Sequence, residues 1–349
     1  MSEEQNYDFA VIGGGSAGYA AARTAAALGL KTVVIDGAEE LGGLCILRGC
    51  MPSKTLIHSA NVALDVRHAA EFGIRASIES VDTAAIRHRK RKLIAEFADY
   101  RQEQLQDGRF ALLRGNAQFS GANTLAVSLR DGGTLTVQAR SILIATGSVI
   151  ALPEVPGLRE ANVWTSDTAL DAEKVPDSFV VLGGGAIALE MAHYLEGIGR
   201  TVTVIQRGTQ LLRGMDADVA QVVQAAFVRR GMAVHTGTKL IRLESTDAGK
   251  SVVYEKDGQE HTATAAEILL ALGRRAAVDG LNLKAAGIEL ESIYIAVAST
   301  MQTNLPHVFA AGDVCGEAEV VHVAIQQGEM AARNAAKILN GAGGLEHMD

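Results

Sequence analysis

The chain has 349 residues, a net charge of −8, 48% hydrophobic and only 4% aromatic side chains. That length exceeds what one core usually accommodates, so two or three domains are expected. The acidity argues against polyanionic partners and the scarcity of rings against base stacking, so nucleic acid is not expected as a ligand.

No run reaches the roughly 18 apolar residues of a membrane span. The polar, acidic start (Met1-Ser2-Glu3-Glu4-Gln5-Asn6) does not read as a signal peptide, so a cytoplasmic setting is expected. Structural disulfides are rare there, and the 3 cysteines are then core residues or redox groups.

The first element is a buried strand over 7–12, followed at once by Gly13-Gly14-Gly15-Ser16-Ala17-Gly18 and an alanine-rich helix to Leu28. A second strand over 31–35 ends at Asp36. This is G-x-G-x-x-G in the strand–turn–helix–strand–acid setting that gives it meaning. Gly13 permits the tight turn, Gly15 lets the backbone approach a pyrophosphate, and Gly18 lets the helix pack close. The helix start favours the anion, and Asp36 is placed to accept from a ribose hydroxyl.

Next comes Gly42-Gly43-Leu44-Cys45-Ile46-Leu47-Arg48-Gly49-Cys50-Met51-Pro52-Ser53-Lys54. On an ideal helix, cysteines five apart stand roughly 8–9 Å apart between Cα atoms. A disulfide needs less than about 7 Å, so a bridge requires a distorted turn, which Gly49 and Pro52 can supply. Such a bridge is easily reduced and suits an electron relay. The alternative is a pair of buried, inert thiols. No second pair or histidine cluster completes a metal site.

Residues 60–110 read as helical and charged, with the basic run 87–92 as a solvated helix face rather than a docking patch. Short strands follow over 124–129 and 134–137, then a buried strand from 141 ending in Ala145-Thr146-Gly147-Ser148. Pro153 and Pro156-Gly157 mark a crossing segment.

The dinucleotide pattern then recurs: a strand over 178–182, the turn Gly183-Gly184-Gly185-Ala186-Ile187-Ala188, a helix over 189–198 and a strand over 201–205. Here the acid is replaced by Gln206, with Arg207 beside it and Arg213 further on. Arginines there suit a 2′-phosphate, so NADPH is expected over NADH, the alternative being two surface arginines in a loop. A last strand over 308–313 ends in Gly312-Asp313, Cys315 reads as a packing residue, and a helix over 323–339 closes on Asn340-Gly341-Ala342-Gly343-Gly344, which reads as a helix stop and linker.

Taken together, these motifs resemble the class I pyridine nucleotide-disulfide oxidoreductases: glutathione reductase, dihydrolipoamide dehydrogenase, mercuric reductase and relatives. The resemblance runs over essentially the whole chain and rests on Gly42–Lys54 above all, then on Ala145-Thr146-Gly147, Gly273-Arg274-Arg275 and Gly312-Asp313. It implies an α/β fold with two Rossmann-like domains: 1–152 and 279–349 for FAD, and 153–278 for NAD(P)H. It implies that Cys50 faces the flavin, that Cys45 exchanges with the substrate disulfide, that Lys54 lies near flavin N5 and that Glu190 pairs with it. Asp313 would hold the ribityl chain, Asp36 the adenosine ribose, and Arg207 and Arg213 NADPH. Hydride would pass from NADPH to the flavin and on to the Cys45–Cys50 bridge, with a small-molecule or protein disulfide or dithiol as substrate.

Three departures stand out. Relatives continue for roughly another hundred residues as a dimer-interface domain that carries the catalytic histidine, so a truncated form is expected, a naturally short one being the alternative. A homodimer is expected only where that domain is present in the full protein. None of the 9 histidines is assigned as base, His58 and His322 reading as structural. Ala186 stands where several relatives carry a tyrosine lid, and mercury reduction is not claimed because their C-terminal cysteine pair is absent. The rival functions are a flavin-binding module without turnover and a diaphorase that uses flavin without the cysteines.

Overall fold

The structure, a computed structural model, describes residues 4–246, 249–316 and 318–348; Met1-Ser2-Glu3 lie outside the described residues. The chain folds as two compact units. The first holds Met1–Leu47, Ala95–Val149 and Arg274–Asp349, and the second Arg48–Ile94 and Ile150–Gly273.

The first unit is built on a seven-stranded sheet whose middle is the strand Thr134–Ile144. One edge of this strand takes Glu4–Ile12 in parallel. The other takes Thr124–Leu129 antiparallel along its first half and Val308–Ala310 in parallel along its last three residues. Sequence reading splits this strand at 137/141. The structure runs it through, because Ala139 continues the buried face while Arg140 turns outward to pair with Asp8 at 3.0 Å. Its burial changes from alternating to continuous where both neighbours become parallel, as a strand covered on both faces requires. The helix Ser16–Ala27 packs against Val321–Leu339, and a Cβ on Gly328 would sit 2.2 Å from the Ala17 carbonyl oxygen. The small side chains of both helices permit that approach.

The second unit carries a five-stranded parallel sheet in the order Ala233–His235, Thr201–Ile205, Ser178–Leu182, Glu267–Leu270, Trp164–Thr165. A three-stranded antiparallel sheet, Lys239–Thr246, Gly249–Lys256 and Gln259–Ala265, belongs to the same unit. The helix Cys50–His68 lies against Ala186–Gly197, where a Cβ on Gly197 would stand 2.6 Å from that of Ala60. This packing gathers 48–94 with 150–273, whereas the expected boundary at 152 runs the first segment through it. The fold is α/β, with a Rossmann-like dinucleotide unit in each half.

Two local expectations need correction. The basic run is not a plain solvated face: Lys90 is 5% exposed and its ammonium lies 2.8 Å from Asp171, which also takes Arg91 at 3.0 Å. Nor does the segment after the last helix lead away as a linker. Glu346 returns to Arg333 at 2.6 Å and Lys337 at 3.2 Å, and the Met348 amide donates to the Ser299 carbonyl. Positive φ at Gly341 and Gly344 turns the chain back. Cys315 is buried in a hydrophobic cluster.

Candidate active site

The first glycine turn is shaped by contacts that leave no room for side chains. Gly13 has φ +101°, and a Cβ there would stand 2.5 Å from the Ala145 carbonyl oxygen; one on Gly18 would stand 1.8 Å from that of Gly13. Gly15 differs: only the Gly43 Cα lies near its side-chain position, at 3.8 Å, and it caps the helix Ser16–Ala27 with no side-chain hydrogen bond. The first amides of this helix therefore lack a side-chain cap, as an anion-binding helix start requires.

Asp36 is 9% exposed; its Oδ2 accepts from the Gly14 amide at 2.7 Å and its Oδ1 from the Ala38 amide at 2.8 Å. Each oxygen keeps a second lone pair. Thr146 carries a buried Oγ1 with no partner among the described residues, and Gly147 beside it has φ +71° and an open side-chain position. Asp313 follows Gly312, whose amide donates to Gln327 at 2.8 Å. The Asp313 carboxylate accepts from Ser148 Oγ at 2.7 Å, and Arg274 Nε donates to that same hydroxyl at 2.7 Å. Burial, followed by the Asp313 charge, pushes the nearby Glu319 carboxyl above its ordinary value. An uncapped glycine-rich helix start, an orphaned hydroxyl and an anchored acid at each side fit a dinucleotide bearing sugar hydroxyls.

Cys45 lies half-buried in the helix Gly43–Leu47 of this unit. The helix breaks at Arg48-Gly49, and Cys50 begins the helix Cys50–His68 of the second unit, exposed at the end that favours negative charge. At this break Gly49 takes φ −128°, ψ −120°; Pro52 lies inside the following helix, and no disulfide joins Cys45 to Cys50 in this structure. Arg101 belongs to the first unit, with its guanidinium 4.2 Å from the centre of the Tyr19 ring. Burial lowers its pKa, and the charges of Tyr19 and Cys45 oppose that shift.

In the second unit Lys54 and Glu190 form an ion pair at 2.5 Å, joining the N-terminal halves of two packed helices. A Cβ on Gly183 would stand 2.2 Å from the Ala271 carbonyl oxygen, while Gly185 is open and caps its helix without a side chain. Gln206 packs where a Cβ on Gly184 would lie 2.9 Å from its carboxamide carbon. Arg207 and Arg213 are exposed in the loop that follows, which the Leu212 amide ties to the Gly184 carbonyl at 2.7 Å. Gly273 has φ +119° and an open side-chain position. His58 and His322 are both exposed.

Residues 7–328 match the family model described as pyridine nucleotide-disulphide oxidoreductase. The chain belongs to that family. It is 35% identical over 331 residues to a dihydrolipoyl dehydrogenase of Bacillus subtilis, spanning 93% of this chain and 71% of that protein. It is 33% identical over 350 residues to a mercuric reductase of Bacillus cereus, spanning 99% and 54% respectively. Among solved structures, the Cu(II) complex of the HOCl-induced flavoprotein disulfide reductase RclA from Escherichia coli superposes with a TM-score of 0.83 at 24% identity, over 96% of this chain and 71% of that one. As a member, the chain is an oxidoreductase that uses FAD and a nicotinamide dinucleotide. Among the described residues no helix is long and apolar enough to cross a membrane.

Sequence reading missed Ser148 and Arg274 behind Asp313, the Gly14–Asp36 bond and Arg101. Arg274 stood within a quoted motif, but nothing in the chain pattern couples it to a serine so far upstream.

Proposed function

We propose that this chain is an NAD(P)H-dependent disulfide reductase, or a dithiol oxidase in the reverse direction, in which Cys45 and Cys50 are the exchanging pair. The observation that carries this reading is the helix break between the two cysteines, on a segment whose Gly43 lies against Gly15 of the uncapped turn.

The Cys45 thiolate attacks one sulfur of the substrate disulfide, forming a mixed disulfide and expelling the first substrate thiolate. The Cys50 thiolate then attacks Cys45 Sγ, closing the Cys45–Cys50 bridge and expelling the second; two electrons have passed to the substrate, whose two thiolates take protons from solvent. FAD, when bound, supplies the two-electron path by which a nicotinamide reduces that bridge again.

Gly13, Gly15 and Gly18 shape the turn that would hold the FAD pyrophosphate, Asp36 its ribose, and Thr146, Gly147, Gly312 and Asp313 its remaining hydroxyls. Lys54, held by Glu190, supplies positive charge beside the redox helix start. Gly183, Gly185 and Gly273 would seat the nicotinamide dinucleotide, and Arg207 and Arg213 favour NADPH, with NADH the alternative. The substrate is a small-molecule or protein disulfide.

An anaerobic NADPH titration tests this, read by flavin absorbance beside Cys45→Ser. Uptake of four electrons per flavin in the parent and two in the variant is expected. Two in both would leave a diaphorase or a flavin-binding module.

A further inference from the structure

The second unit carries an open cleft of about 500 Å³ between the last turn of the helix Cys50–His68, the loop 76–81 and the turn 198–200. It is separate from the dinucleotide turn: the helix Ala186–Gly197 starts at that turn and ends at the cavity, about 18 Å away at 1.5 Å per residue.

Arg67 and Arg200 line it together with the hydroxyl-bearing Ser77 and Ser80 and the aliphatic Ile78 and Ile198. Arg67 Nη1 donates to the Glu196 carbonyl at 3.2 Å and stands 3.7 Å from that residue's carboxylate, which also takes Arg230 at 3.1 Å. Arg200 Nη1 donates to Asp177 at 3.1 Å, but that aspartate's side chain is 95% exposed. Arg200 Nε is buried without a partner among the described residues. Among the described residues three guanidinium groups thus share two carboxylates, and buried N–H groups of both Arg200 and, behind the wall, Arg230 lack a hydrogen-bond acceptor. A buried donor without an acceptor is a standing cost, and an oxyanion in the cavity removes it once the Arg200 side chain shifts to expose that N–H. Planar guanidinium groups suit phosphate oxygens in particular.

We propose that this cavity binds a phosphomonoester of a short apolar alcohol, with the phosphate on Arg67 and Arg200 and the apolar body against Ile78 and Ile198. Arg67 lies in the last turn of the helix that begins at Cys50, so the ligand bears on the same helix as the redox thiol.

Thermal unfolding of the FAD-loaded protein tests this, with butyl phosphate and inorganic phosphate as probes and sodium chloride at matched ionic strength as control. Both probes raise Tm saturably, and butyl phosphate half-saturates at the lower concentration. Arg200→Gln raises that half-saturation by about 10-fold or more, the loss of one charge-assisted contact. Ser80→Glu, on an exposed loop that tolerates change, does the same by repulsion. An Arg207→Gln/Arg213→Gln double variant keeps the shift. The proposal is overturned if sodium chloride reproduces the shift, if Arg200→Gln and Ser80→Glu both leave it unchanged, or if the double variant abolishes it.

Discussion

Gly43 of the cysteine segment and Gly15 of the first dinucleotide turn touch backbone to backbone, so that a Cβ on Gly43 would stand 2.6 Å from the Gly15 Cα. Gly43 also holds φ +75°, where a side chain is strained whatever the space. The start of the cysteine segment is thereby seated on the first glycine turn, which the proposed function gives to FAD. Gly43→Ala is expected to cost about 1–3 kcal/mol and to lower the flavin content of the purified protein. Flavin-to-protein absorbance ratio and thermal unfolding measure both. A variant with full flavin and unchanged Tm would show that the contact is dispensable.

Lys54 and Glu190 present a different case. The pair is 57% and 30% exposed, so its loss should cost less than about 1 kcal/mol of stability. If Lys54 acts on the flavin electrostatically, Lys54→Met lowers the flavin midpoint potential by removing a positive charge that favours the reduced anion. Redox titration with indicator dyes decides: an unchanged potential leaves Lys54 a surface residue.

Arg207→Leu/Arg213→Leu should raise KM for NADPH by about 10–100-fold, the worth of charge-assisted phosphate contacts, while KM for NADH moves little. Steady-state kinetics with the two nucleotides in parallel is the check. Equal effects on both would remove the 2′-phosphate role and return the arginines to an ordinary loop.

The Asp171 carboxyl is held well below the usual carboxylate range, first by its hydrogen bond from Arg91 and then, against its own burial, by Lys90. A depressed folded-state pKa contributes stability that is complete above the unfolded value of about 3.9 and lost as pH falls through it toward the folded one. Asp171→Asn should lower stability at pH 7 by about 1–3 kcal/mol, less than for a fully buried pair because Asp171 is half exposed. It should also flatten the loss between about pH 4 and pH 2. Urea unfolding across that range would refute the assignment if parent and variant curves ran parallel.

What the sequence made legible follows from chain-local chemistry. Gly13, Gly18 and Gly183 stand where a Cβ would strike a carbonyl, and a glycine triad after an apolar strand announces that requirement within a few residues. Lys90 could not be read this way, because its partner Asp171 is distant in the chain and a buried lysine in a basic run looks like its exposed neighbours. Sequence reading cuts the strand Thr134–Ile144 in two because its halves answer to different neighbours, one-sided burial beside Thr124–Leu129 and two-sided burial beside Val308–Ala310. The return of Glu346 to Arg333 and Lys337 was equally hidden, since glycine-rich ends spell turns and linkers alike.

The strand Val308–Ala310 joins the first unit's sheet only on Thr134–Ile144, far earlier in the chain. A ribosome releasing the polypeptide from its N-terminus therefore exposes the flank of Ile142–Ile144 until residue 310 has emerged, while the second unit's parallel sheet, complete by Leu270, has all its strands available sooner. At about 5–20 residues per second the gap lasts seconds, long enough for an apolar strand edge to find the wrong neighbour. In order of synthesis, the second unit's parallel sheet thus has all its strands before the sheet that opens the chain does.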